Sequence, residues 1–190
     1  MVFSFKRILV PYDGSKPSEN ALQQAIQLAN LIVSGGNNDD NASHKQNIQI
    51  ILLHVVEQIH IRIPSLYLSL RIVAGKPMKE FYEEIYEEMK NDASKKLDDI
   101  KKRIERSIAG NSNKSNTNVS SSSALSVTVS PQVTIGNPSE VIIDVANNKE
   151  KVDLIIMGST GLKGISKVRV LGSVSRVVSE NANCSVMLVH

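Results

Sequence analysis

Arg7-Ile8-Leu9-Val10-Pro11-Tyr12-Asp13-Gly14-Ser15-Lys16-Pro17 is the stretch that decides the fold class. Arg7 to Pro11 is a short apolar run without polar alternation, the pattern of a strand covered on both faces. Asp13-Gly14-Ser15 makes a turn. Pro17 then falls near the first turn of a helix, where its missing N–H does no harm. Ala21, Leu22, Ala25, Ile26, Leu28, Ala29 and Ile32 recur at helical spacing, which predicts an amphipathic helix over about 17–33, stopping at Ser34-Gly35-Gly36. A strand that leads directly into a helix is the unit from which parallel sheets are built.

The unit repeats along the chain. Ile48 to Val56 is a second apolar strand. Residues 57–77 read as a long, partly ordered connection. The longest helix is predicted over 78–108 by Phe81, Ile85, Met89, Ala93, Leu97, Ile100, Ile104 and Ile108. It is expected to lie on the sheet, because no second segment of similar length offers a coiled-coil partner. A third strand runs over 126–135, with a helix opening at Gly136-Asn137-Pro138. A fourth strand runs over 152–157, followed by glycines and a helix carrying Val174, Val177 and Val178. A fifth strand spans 184–189. The expectation is one domain over 1–190: an α/β fold with an open parallel sheet and helices on both faces, interrupted by polar insertions at about 35–47 and 109–125. The second insertion is Asn/Ser-rich and too poor in apolar residues to offset its ordering entropy. Ligands in such sheets bind beyond the carboxyl ends of the strands, where strand order reverses.

Composition narrows the function. Hydrophobic residues are 41% and charged residues 22%, ordinary for a globular chain. No run approaches the about 18 apolar residues needed to span a bilayer, and Met1 to Arg7 carries no apolar signal core. A cytoplasmic protein without a membrane partner is expected. The net charge of +3 and 4% aromatic content offer neither a basic surface nor a stacking platform for nucleic acid. Cys184 stands alone, so there is no internal disulfide, and it is expected as a small buried hydrophobe. His44, His54, His60 and His190 lack metal-ligand spacing and are expected to be structural or exposed.

Two features could carry chemistry. The first is Met157-Gly158-Ser159-Thr160-Gly161, followed by Leu171-Gly172-Ser173-Val174-Ser175. Glycines admit a ligand close to the backbone. The helix starting near Ser173 supplies free N–H donors and the positive end of its dipole. This makes a phosphate cradle, although glycines of this kind also serve simply as turns. The spacing is that of neither the P-loop nor the dinucleotide fingerprint. The second is Asp13, at the carboxyl end of the first strand. Its carboxylate can accept ribose hydroxyls, or it can cap the first helix.

Arg7 to Ser15, Leu53-His54-Val55-Val56, Asp153 to Gly161, Leu171 to Ser175 and Val186-Met187-Leu188-Val189 together resemble the universal stress protein (UspA) family, in order and from end to end. The resemblance implies a Rossmann-like five-stranded parallel sheet of order 3-2-1-4-5, with the first and fourth strands adjacent at the switch point. It further implies an ATP site. Gly158, Gly161, Gly172 and Ser173 would hold phosphates, with Val174 and Ser175 beside them. Pro11, Asp13, Val55 and Met157 would line the adenine and ribose pocket. It also implies a homodimer through strand 184–189. The ATP-binding branch carries Gly-x2-Gly-x9-Gly-Ser/Thr, whereas ten residues, 162–171, separate Gly161 from Gly172 here. Lys163, Lys167 and Arg169 in that loop either offset phosphate charge or form a solvated face.

The leading expectation is therefore an ATP-binding regulator of stress response, with Mg²⁺ accompanying the nucleotide at a position the sequence leaves open and a protein partner it does not name. Valine at Gly158 or Gly172 is expected to block binding and spare the fold. The alternative is a nucleotide-independent dimeric interaction module. No nucleophile–base pair or water activator suggests an enzyme beyond slow ATP hydrolysis.

Overall fold

The computed structural model describes residues 5–35, 47–58, 72–73, 76–111, 127–161 and 171–190. Five strands form one parallel sheet: β1 (Arg7–Pro11), β2 (Ile48–Glu57), β3 (Val127–Gly136), β4 (Leu154–Gly158) and β5 (Ser185–Val189). Their spatial order is β3-β2-β1-β4-β5, which is the predicted 3-2-1-4-5. Among the described residues four helices connect them: α1 (Lys16–Gly35), α2 (Met78–Asn111), α3 (Pro138–Asp144) and α4 (Ser173–Asn181).

Both faces of the sheet are covered, which is why the central strands β1, β2 and β4 read as near-continuous apolar runs, whereas the edge strand β3 alternates. On one face Ile8, Val10, Ile50, Leu52, Leu154 and Ile156 pack against Ala21, Ala25 and Ala29 of α1 and Leu97 and Ile104 of α2. The three alanines repeat every fourth residue and are fully buried, so α1 sits close to the strands. On the other face Leu9, Ile51, Leu53, Ile155 and Met157 pack against Ile142 of α3 and Val178 of α4. Alternate residues of each strand serve opposite cores, as the twofold strand period requires.

Several boundaries differ from expectation. Helix α2 reaches Asn111, so the second polar insertion begins later than 109, and most of both insertions lies outside the described residues. Within the 57–77 connection, Ile72–Val73 pairs antiparallel with Lys76–Pro77, and residues 59–71 lie outside the description. Helix α3 passes into a wider π-type turn over Val145–Lys149. Asn137 caps α3 through its side-chain oxygen, which accepts from Ser139 N–H at 3.0 Å, while Pro138 occupies the first helical position. Cys184 precedes β5 and is only half-buried, because β5 is an edge strand paired with β4 alone. Met187 on that strand is 42% exposed.

Candidate functional site

The sheet opens at the carboxyl end of β1. Tyr12 N–H donates to Leu53 C=O at 2.8 Å, and Gln49 N–H donates to Lys6 C=O at 2.8 Å. Even-numbered residues of β1 therefore face β2. Arg7 C=O accepts from Asp153 N–H at 3.0 Å, so Arg7, Leu9 and residue 11 face β4. The next rung towards β4 would be donated by residue 11, which is proline and has no N–H to give. The β1–β4 register accordingly stops at Leu9↔Ile155, while β1 stays paired with β2 to Pro11↔Leu53 and β4 with β5 to Gly158↔Val189. Strands β1 and β4 are the switch point, and the crevice lies between their ends.

A cavity of about 450 Å³ occupies this crevice. All ten residues named from the sequence line it: Pro11, Asp13, Val55, Met157, Gly158, Gly161, Gly172, Ser173, Val174 and Ser175. The volume suits a small-molecule ligand. One wall is apolar, from Val55, Met157, Leu53, Pro138 and Ile142. The start of α4, from Gly172 to Ser175, lines the cavity too.

That helix start differs from those of α1 and α3. Ser15 caps α1: its Oγ accepts from Ser18 N–H at 3.3 Å, and its carbonyl accepts from Ser18 Oγ at 2.8 Å. Asn137 caps α3. Helix α4 begins after Gly172, which has no capping side chain. Its first-turn N–H groups, at Ser173, Val174 and Ser175, thus remain available to a ligand, and the helix dipole favours an anion there.

The glycines act by close approach, each in its own way. A side chain at Gly158 would meet Cβ and the carbonyl carbon of Pro17 at 2.8 and 3.0 Å and the Ser18 nitrogen at 3.0 Å. Gly158 therefore lets α1 close onto β4, and valine there would disturb the fold, contrary to the expectation from sequence. A Cβ at Gly161 would lie 2.9 Å from Oδ2 of Asp13, so this glycine keeps the floor beneath the carboxylate open. A Cβ at Gly172 would come to 3.2 Å from Ser159 C=O and 3.4 Å from Ser175 Oγ.

Asp13 holds the turn before α1. Oδ1 accepts from Ser15 N–H at 2.9 Å, fixing the turn, while Oδ2 faces Gly161 across the crevice. Ser175 is 2% exposed, and its Oγ is placed to donate to Ser159 C=O at 2.8 Å or Gly172 C=O at 3.0 Å. Its hydroxyl proton thus holds the helix start to the glycine loop. Ser159 is the hinge of this arrangement. Its carbonyl also accepts from Gly172 N–H at 2.8 Å, its N–H donates to Val189 C=O at 2.7 Å, and its Oγ bonds His190 Nδ1 at 2.8 Å. Both ends of the Gly161–Gly172 loop are thereby gathered, whereas Lys163, Lys167, Arg169 and the extra residue's surroundings fall in 162–170, outside the described residues.

Sequence reading missed Tyr12, Ser18, Leu53, His54, Glu57, Pro138, Ile142 and Thr160, which also line the cavity. His54 was the readable one: a polar residue inside an apolar strand next to Val55. Tyr12 has its phenol pKa raised, chiefly by burial and then by the negative charges of Glu19 and Asp13, with Arg103 opposing. Among the described residues, no group of three or more His, Cys, Asp or Glu is placed to hold a metal ion. No described helix is long and apolar enough to cross a membrane.

An open parallel sheet with a cavity at its switch point and an uncapped helix start in one wall defines an α/β protein of Rossmann-like architecture. The family model of universal stress proteins matches residues 4–190, and the chain belongs to that family. It is 28% identical to universal stress protein MJ0577 of Methanocaldococcus jannaschii over 100% of this chain and 97% of that one. The solved structure of MJ0577 superposes with a TM-score of 0.65, at 25% identity, over 98% of this chain and 96% of that one. UspA from Lactobacillus plantarum superposes with a TM-score of 0.65 at 20% identity, with both chains covered completely at 100%. A universal stress protein solved in complex with cAMP shares the fold at 18% identity and a TM-score of 0.50, covering 99% of this chain and 98% of that one.

Proposed function

We propose that this single-domain chain binds ATP in the crevice between β1 and β4 and acts as a nucleotide-dependent regulator in stress response. The observation that carries the reading is the uncapped start of α4 facing an apolar-walled cavity of about 450 Å³. The first-turn N–H groups of α4 would take phosphate oxygens, and Gly161 and Gly172 would admit them. Asp13 Oδ2 would accept a ribose hydroxyl. Val55, Met157 and Ile142 would enclose the base.

Strand geometry favours adenine. Leu53 C=O accepts from Tyr12, so Val55, two residues on, turns its N–H and C=O to the same side, where β1 has ended. A donor and an acceptor side by side complement the N1 and amino edge of adenine. Guanine presents the reverse pair. Mg²⁺ would accompany the phosphates and keep most of its waters. Any hydrolysis of the bound nucleotide would be slow. The exposed β5 edge, with Met187 outward, would pair with a second copy in a cytoplasmic homodimer.

One observation favours a nucleotide-independent dimeric module: Asp13 Oδ1 and the Ser175 proton are already committed within the protein. A thermal-shift titration of ligand-stripped protein with ATP, ADP, AMP, cAMP and GTP separates the two. ATP at one hundred times its dissociation constant adds about 2.7 kcal/mol, or roughly 5–10 °C for a chain of this size. A shift selective for adenine nucleotides supports the site. No shift with any nucleotide leaves the dimer surface as the functional one.

A further inference from the structure

We propose that His54 is a positioning residue that keeps the base-reading edge of β2 open; the inference rests on the ATP reading above. In a parallel ladder, Tyr12 should make two rungs to β2: its N–H to Leu53 C=O, and its C=O from Val55 N–H. The first is present at 2.8 Å. The second is replaced, because Tyr12 C=O instead bonds Nδ1 of the His54 ring at 2.8 Å, and the β1–β2 register ends at Pro11↔Leu53. A carbonyl oxygen only accepts, so this bond holds the Nδ1–H form of the ring.

The consequence is local and specific. The ring satisfies the one carbonyl that would otherwise draw in the Val55 N–H and zip the ladder shut by another rung. Meanwhile β2 remains paired with β3 through Glu57↔Gly136, so its backbone is held along that side. The Val55 peptide is thus fixed in place on one side and open towards the cavity on the other. A site that must read a base edge needs both properties.

The test uses His54→Leu, which removes the donor, and His54→Asn, whose amide can stand near the Nδ1 position. Calorimetry measures ATP and, separately, inorganic tripolyphosphate, which has no base. Amide hydrogen exchange in the ligand-free protein reads Val55 directly. The expected result is an about fivefold weaker ATP affinity in His54→Leu, the scale of one positioned hydrogen bond. Tripolyphosphate affinity should stay within about twofold of wild type, and His54→Asn should restore ATP binding to that range. Val55 exchange should be fast in wild type and slowed in His54→Leu. Wild-type ATP affinity in His54→Leu, an equal loss for tripolyphosphate, or a Val55 amide as protected as Leu53 in wild type would each overturn the role of His54 alone. Wild-type protein that binds no ATP would instead overturn the proposed function, and Val55 exchange would still decide whether His54 holds the edge open.

Discussion

The two ends of β1 are built in opposite ways. At the amino end the Asp153 carboxylate accepts from both Lys6 N–H and Arg7 N–H at 2.8 Å, and Asp153 N–H returns a bond to Arg7 C=O at 3.0 Å. Gln49 closes the other side onto Lys6. Every neighbour is stapled down. At the carboxyl end Pro11 gives no rung to β4, and a histidine ring takes the rung that Val55 would have made to Tyr12. The same strand is closed where nothing need enter and open where a ligand would. The crevice arises less from added binding groups than from hydrogen bonds withheld at two positions.

Substitutions can break this contrast at either end. The largest effect is expected at Gly158→Val. Its side chain would press on the backbone of Pro17 and Ser18, so unfolding free energy should fall by about 3 kcal/mol, as for an overpacked core. Urea denaturation checks this, and a stable variant would mean α1 can retreat from β4. Asp13→Ala should weaken ATP binding by about 2 kcal/mol, on the scale of a hydrogen bond to a charged group, with a smaller change in melting temperature. Asp153→Ala should do the reverse. It should cost about 1.5 kcal/mol of stability through two lost charge-assisted bonds, with ATP affinity unchanged by calorimetry.

Pro11→Ala sharpens the contrast rather than breaking it. It returns an N–H aimed at β4, so the ladder can extend and the crevice narrow. ATP affinity should fall about fivefold, the worth of about one hydrogen bond. The smallest effect concerns Cys184, beside β5 and away from the open end. Burial raises its thiol pKa above the usual value, with the Asp153 charge adding to the shift. A raised pKa leaves less thiolate at any given pH, so alkylation by iodoacetamide at neutral pH should run slower than for free cysteine.

The sheet was legible because each central strand is an apolar run. Ile48 to Val56 and Leu154 to Met157 show no polar alternation to misread, and the alternation of strands with helices follows from that. The ten cavity residues were legible through the resemblance of motifs, not through periodicity. What stayed hidden depends on register. Nothing local distinguishes Pro11 as the missing rung to β4, since that follows only from which of its neighbours faces which strand. Gly158 looked like its companions Gly161 and Gly172 because a glycine carries no sign of what it would strike. Helix α1 supplies that neighbour, from a segment distant in sequence. Pro138 and Ile142 enter the cavity only because the crossover after β3 lays α3 over the opened edge.

Ligand is proposed to bind at the open end of β1 and not elsewhere. Amide chemical-shift mapping of ligand-stripped protein titrated with ATP tests it most directly. Asp13, Val55, Gly161 and Ser173 to Ser175 should shift together and saturate at one concentration, while Lys6, Arg7 and Asp153 stay fixed. Shifts centred on the closed end, or no shifts at all, would contradict it.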